Sequence, residues 1–374
     1  MAKLKAILVV GCVMGLLTAF LGCGEAPLKI GSVLRLSIGA EHGIPAKRGV
    51  ELAVAQVNEA GGIGGKKVEV VFEDEKDSPK DSVNAVQKLI NVDKVVALVG
   101  PMTSGGIMAA GKTAEEAKVV AISPTATTPK LSGYGAYIYR GCSRIDQQAQ
   151  ALTDYVAKNW KPKTVAILFS NEPYGKGCNE VFGKEFEKLG IKVVAQESFM
   201  RGSRDFKAQL TTIKAANPDI LFIPGYTPET APAAAQARQL GMNQKILGVY
   251  GDMDVVYIEL AGKAAEGHVI ASEYDEAYDT PKNKKFKEQY YALAKKNNDP
   301  VNIMFAALTF DATSMVLEGM KKNGPTSEGI KKFLDDLKDF DGVTGKLSMN
   351  KEHDAVKGGL YILEVKDGRW VKVK

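Results

Sequence analysis

The sequence predicts an α/β protein built as two doubly wound, Rossmann-like lobes. Strand-like and helix-like segments alternate from residue 28 onward. The strand segments, such as "VVALVG" and "DILFIPG", are short and continuously apolar, the signature of parallel sheets covered on both faces. The rhythm restarts after residues 137–148, and the strands outnumber what one sheet accommodates comfortably. A length of 374 residues fits two such lobes.

The elements follow in order. "LKIGSVL" is a strand, and "PAKRGVELAVAQVNEAGG" is a helix stopped by Gly61 and Gly62. "KKVEVVFED" is a strand, and "PKDSVNAVQKLINVD" is a helix with Pro79 near its start. "VVALVG", "SGGIMAAGKTAEEA" and "KVVAIS" continue the pattern as strand, helix and strand. The second series runs "KTVAILFS", "YGKGCNEVFGKEFEKLG", "IKVVAQESF", "DFKAQLTTIKAANP", "DILFIPG", "ETAPAAAQARQLG" and "QKILGVYG". Residues 281–340 then hold three helical segments in a row, so the chain is expected to cross between lobes more than once. "GVTGKLSMN" and a hairpin turning at Asp367-Gly368 close the chain.

Composition narrows the function classes. Hydrophobic residues make up 45% and charged residues 25%, ordinary for a soluble globular protein. The net charge of +5 includes Lys3 and Lys5, and the remaining basic residues are interspersed with acids, which argues against nucleic acid as a partner. Residues 1–23 differ from the rest. "MAKLK" is a basic start, "AILVVGCVMGLLTAFLG" carries no charge, and Cys23 follows directly. This is the layout of a secretory signal. A Cys after "FLG" fits a lipobox in which Cys23 is acylated, although Phe20 stands where an aliphatic residue is usual. Plain secretion and an uncleaved anchor are the alternatives, and all three place the rest of the chain outside the cytoplasm. Cys142 and Cys178 are expected as buried, unpaired thiols, with a bridge as the alternative in an oxidising compartment.

In open α/β sheets, ligands bind beyond the C-terminal ends of the strands. "PMTSGG" lies there, and Ser104 with Gly105 and Gly106 opens a helix whose free N–H groups suit an anion such as a carboxylate. The plainer reading is that Ser104 is an N-cap. "SPTATTP" ends the next strand, where Thr125 and Thr127 offer neutral donors and acceptors or ordinary turn chemistry. Tyr174, Tyr226 and Asp252 sit at strand ends of the second series, Asp252 being the candidate counter-charge for an ammonium or else a solvated loop acid. The letters of G-x-x-x-x-G-K-[ST] occur at residues 106–113, "GIMAAGKT", but inside the segment read as a helix rather than in a loop. No G-x-S-x-G elbow is present, and His42, His268 and His353 show no metal spacing, so no cofactor or metal is expected.

Seven stretches together resemble the periplasmic branched-chain amino-acid-binding proteins, the substrate-binding components of ABC importers: "AGGIGGKKVEVVFED", "GPMTSGG", "ISPTATTPKL", "YIYRGCSRIDQQ", "PYGKG", "IPGYTPE" and "ELAGKAAEG". The resemblance covers residues 28–365 and implies a type I periplasmic binding protein, two lobes joined by a three-crossover hinge. It implies a signal segment over 1–23, one lobe from 28–144 plus about 274–350, and another from 145–273 plus about 351–374. It further implies that Ser104 and Thr127 hold the ligand carboxylate, that the Thr125 carbonyl meets the amine, and that Tyr226 and Tyr174 come from the second lobe. The acid that meets the amine falls at Tyr250 by ungapped counting, with Asp252 nearby. His42 takes the place of an aromatic wall, and Thr103 stands where some members have a disulfide-bonded Cys, so that bridge cannot form here. The implied protein is a monomeric, lipid-anchored, extracytoplasmic solute-binding protein that delivers an aliphatic amino acid to an inner-membrane permease. A sensor, an enzyme, or a binder of an amide, urea or aromatic acid are the competing expectations.

Overall fold

The computed structural model describes residues 26–373. The leader and the expected lipid attachment at Cys23 lie outside the described residues.

The first sheet comprises β1 (Leu28–Leu34), β2 (Val68–Asp74), β3 (Ala97–Val99), β4 (Val120–Ser123) and β5 (Ile138–Arg140). Its order is β2-β1-β3-β4-β5, parallel throughout. The connecting helices are α1 (Ala40–Glu59), α2 (Pro79–Asn91) and α3 (Ser104–Glu116). Pro79 opens α2 behind a Ser78 cap, and Gly61 and Gly62, both at positive φ, follow the end of α1.

The chain then builds α4 (Ile145–Asn159), β6 (Thr164–Ser170), α5 (Pro173–Lys188), β7 (Lys192–Phe199), α6 (Lys207–Ala215), β8 (Ile220–Phe222), α7 (Thr227–Gln239), β9 (Lys245–Leu247), α8 (Val255–Ala261) and β10 (Val269–Ser272). Next come α9 (Pro281–Asn297), α10 (Ile303–Asn323) and α11 (Ser327–Asp335). These three return to the first sheet's side, where α10 packs along α1. A Cβ on Gly49 would come within 2.2 Å of the Ala306 carbonyl oxygen, so glycine permits this close approach. Strands β11 (Phe340–Gly342), β12 (Gly345–Met349) and β13 (Ala355–Lys357) form a small antiparallel sheet.

The chain last adds β14 (Tyr361–Lys366) and β15 (Arg369–Lys372) to the second sheet, ordered β15-β14-β10-β9-β8-β6-β7. Asp367 and Gly368 both have positive φ and turn this hairpin. Three segments thus pass between the sheets, at residues 141–144, 273–280 and 358–360.

Arg140, fully buried at the end of β5, sits at the first passage. It donates to the carbonyls of Thr128 at 2.7 Å and Ala126 at 3.3 Å, to Ser132 Oγ at 2.9 Å and to Asp354 at 2.8 Å. A buried guanidinium is tolerated because these partners satisfy its charge and donors.

Candidate functional site

A small enclosed cavity lies where the C-terminal ends of the two parallel sheets face each other. Arg35, Met102, Thr103, Ser104 and Thr125 line it from the first sheet, Tyr174, Tyr226, Tyr250 and Gly251 from the second, and Phe305 from the start of α10. Its free volume of about 20 Å³ is barely room for one water-sized sphere. The two sheets must therefore part to admit a solute.

The first wall is set by secondary structure. Thr103, not Ser104, caps α3: its Oγ1 accepts from the Gly106 N–H at 3.0 Å and donates to Glu75 at 3.2 Å. Ser104 is left as the first helical residue, buried and lining the cavity beside the positive end of the helix. The SPTATTP loop is stitched to the preceding loop. Ser123 Oγ donates to the Pro101 carbonyl at 2.6 Å, and Thr125 Oγ1 donates to the Met102 carbonyl at 2.8 Å. That turns the Thr125 side chain aside and leaves its carbonyl to face the second wall. Thr127 is buried and its hydroxyl has no hydrogen-bond partner, but it is not among the lining residues.

Arg35 directly follows β1, and the sequence reading missed it. The N-terminal part of α1 packs against it: a Cβ on Gly43 would fall 1.7 Å from the Arg35 carbonyl oxygen. The guanidinium is 1% exposed and reaches His42 Nδ1 at 3.3 Å, while Nε and Nη2 have no hydrogen-bond partner. Asp77 stands 3.5 Å from Nη2 but is held more closely by Arg201, at 2.5 and 2.9 Å. A charged residue at a strand's C-terminal end was a usable sequence signal. Phe305, inside the apolar run of α10, offered none.

The second wall is aromatic. The Tyr226 ring lies 5.1 Å from that of Tyr174 and is contacted by both guanidiniums, Arg35 at 4.4 Å and Arg201 at 4.6 Å. Phe305 is stacked between Tyr250 and His42, at 5.7 and 4.4 Å. Burial pushes the phenols of Tyr174, Tyr226 and Tyr250 well above their ordinary value, so all three are neutral. Tyr250 donates its hydroxyl to the Thr125 carbonyl across the cavity. The Tyr174 hydroxyl lies beside the buried Cys178 thiol.

Besides Thr127, two expected residues are placed off the cavity's lining. Asp252 points away from the cavity, accepting from Thr230 Oγ1 at 2.5 Å and paired with His268 at 3.2 Å. The cause is the 3-10 turn over Tyr250–Asp252, in which residues two apart face different directions. Tyr250, not Asp252, therefore lines the cavity. His42 does not line the cavity either. It lies behind Phe305 and bridges Arg35 to Asp254, whose Oδ2 is 3.1 Å from Nε2. Cys142 and Cys178 are both buried and free.

Residues 27–369 match the family model described as "Periplasmic binding protein". A "Leu/Ile/Val-binding protein homolog 3" from Brucella melitensis is 32% identical over 356 residues, covering 94% of this chain and 95% of the relative. The fold is similar to the isoleucine complex of the branched-chain amino acid transporter substrate binding protein LivJ from Streptococcus pneumoniae. That similarity has a TM-score of 0.85 and 32% identity, over 93% of this chain and 100% of the other. It is also similar to the leucine binding protein LivK from Thermotoga maritima, with a TM-score of 0.85 and 29% identity, over 93% and 98%.

Proposed function

The chain belongs to the periplasmic binding protein family, and on that premise we propose that it is the extracytoplasmic solute-binding component of an ABC importer. It captures a solute of the branched-chain amino-acid type, a carboxylate on a compact aliphatic body, between its two sheets. It then hands that solute to an inner-membrane permease. The branched-chain and related aliphatic amino acids are the first solutes to test, because relatives and structural neighbours of this chain are named for them.

The observation that carries this reading is the cavity at the C-terminal ends of both sheets, lined from both sides. Contacts to both lobes favour the closed arrangement over the open one, so binding drives closure. The protein acts as a monomer whose role is capture rather than turnover. Cys23 ties it to the membrane by a lipid.

Calorimetry tests the site: Ser104→Ala, at a residue lining the cavity, is expected to weaken solute binding about tenfold or more, the effect of losing a hydrogen bond to a charged group. Unchanged affinity refutes the site. Labelled palmitate tests the anchor, and incorporation that persists in Cys23→Ala refutes it.

Tyr250 on the Thr125 carbonyl favours a second reading of the solute, a small acid from outside the amino acids.

A further inference from the structure

The cavity is asymmetric in charge. Among the described residues, Arg35 is the single charged one lining it, and no carboxylate does. Two of its guanidinium nitrogens are buried without a hydrogen-bond acceptor. The start of α3 adds a second positive feature on the same wall, with Ser104 at the first helical position. The Tyr174 hydroxyl, beside the Cys178 thiol, lines the same space. Everything with unspent hydrogen-bonding capacity on these residues suits an anion.

Acceptors are scarce by comparison. The Thr125 carbonyl accepts from the Tyr250 hydroxyl, and Thr103 Oγ1 is engaged with the Gly106 N–H and Glu75. Asp252, the acid nearest Tyr250 in sequence, is turned to Thr230 and His268. Asp77 is shared by Arg35 and Arg201, behind the lining. An ammonium carries three donors and no acceptor. On an α-amino acid it sits beside the carboxylate, so it would enter among donors and near a like charge. Buried there it meets neutral hydroxyls and ring faces but no carboxylate, so its desolvation cost is offset only in part.

The geometry points to a solute that is a small monocarboxylate with an apolar body and no α-ammonium. It is held by Arg35 and the start of α3, with its body against Tyr174, Tyr226, Tyr250 and Phe305. This rests on the interlobe cavity being the solute site, as proposed above. The hydroxyl of Tyr250 occupies the carbonyl that an ammonium would use, and so selects against amino acids.

Titration calorimetry with three probes separates the possibilities: leucine, isocaproate (leucine without its ammonium) and isoamylamine (leucine without its carboxylate). Isocaproate is expected to bind about tenfold or more tightly than leucine, a difference of about 1.4 kcal/mol, with isoamylamine silent. Tyr250→Phe keeps the ring, frees the Thr125 carbonyl and is expected to narrow the preference for isocaproate over leucine about threefold or more; a preference that is unchanged or widened overturns the role given to the Tyr250 hydroxyl. Leucine binding as tightly as isocaproate, or tighter, overturns the inference and leaves the solute-binding reading standing. A thermal-shift panel of every proteinogenic amino acid together with isocaproate and benzoate separates the remaining case. Stabilisation by none of them overturns the inference and the solute-binding reading alike.

Discussion

The first wall of the cavity presents Arg35, Thr103, Ser104 and Thr125, and the second presents Tyr174, Tyr226, Tyr250 and Gly251. On the first, recognition comes from a helix start, a capped loop and one guanidinium, all fixed by where strands end. On the second it comes from ring faces, which offer shape and neutral hydroxyls but no charge. On the reading proposed above, the difference separates two tasks. Holding a carboxylate would fall to the first wall, and choosing among carboxylates to side chains of the second.

The largest expected test of that contrast concerns pH. Glu75 is fully buried behind Thr103, with Ser82 also at its carboxyl and Arg35 and Asp77 as its charged neighbours. Burial pushes its carboxyl up from 4.5 to about 7, against the opposing pull of Arg35. Between those values the folded chain keeps a proton that the unfolded chain has lost. Stability therefore falls as pH rises through this window and levels off above it, by about 3 kcal/mol at most. Glu75→Gln is expected to flatten that slope in chemical denaturation across the window. A slope unchanged from the parent would assign the pH sensitivity to other acids that burial also pushes up, Glu172, Glu229, Asp252 and Asp311, and not to the first wall.

Next in size, Arg35→Met removes the only charged lining group and is expected to weaken carboxylate binding about a hundredfold, as two charge-assisted hydrogen bonds imply. On the second wall, Tyr226→Leu removes a plate that touches two guanidiniums and is expected to cost about tenfold. Calorimetry that reverses this order would invert the assignment of the two tasks.

The smallest effect concerns the thiols. Burial pushes both Cys142 and Cys178 well up, so neither is expected to react with a thiol reagent in the native protein, and both should react in denaturant. Fast native labelling of one would mark its neighbourhood as the looser region.

Much of this was legible in advance because strands and helices announce themselves by local period. The βα series, the stop at Gly61 and Gly62 and the hairpin at Asp367-Gly368 all follow from residues adjacent in sequence. The destination of α9, α10 and α11 did not follow from any local pattern; only the resemblance placed about 274–350 with 28–144. At the site, Ser104, Thr125, Tyr174 and Tyr226 were found because the ends of strands are where a cleft forms. The choice between Tyr250 and Asp252 needed the rotation of a three-residue turn. Ser104's role as a cap was excluded only once Thr103 was seen to hold that position. Phe305 lines the cavity through packing between distant segments, which leaves no trace in a run of apolar residues.

Arg140 carries a mechanical consequence. It grips the carbonyls of Ala126 and Thr128 with one nitrogen and Asp354 with another, at the point where the chain first leaves the first sheet. The loop that lines the cavity and the first passage between the sheets are therefore tied to one side chain. If the sheets part about these passages, as proposed above, a displacement of the loop would reach the passage through Arg140 without crossing the body of either sheet.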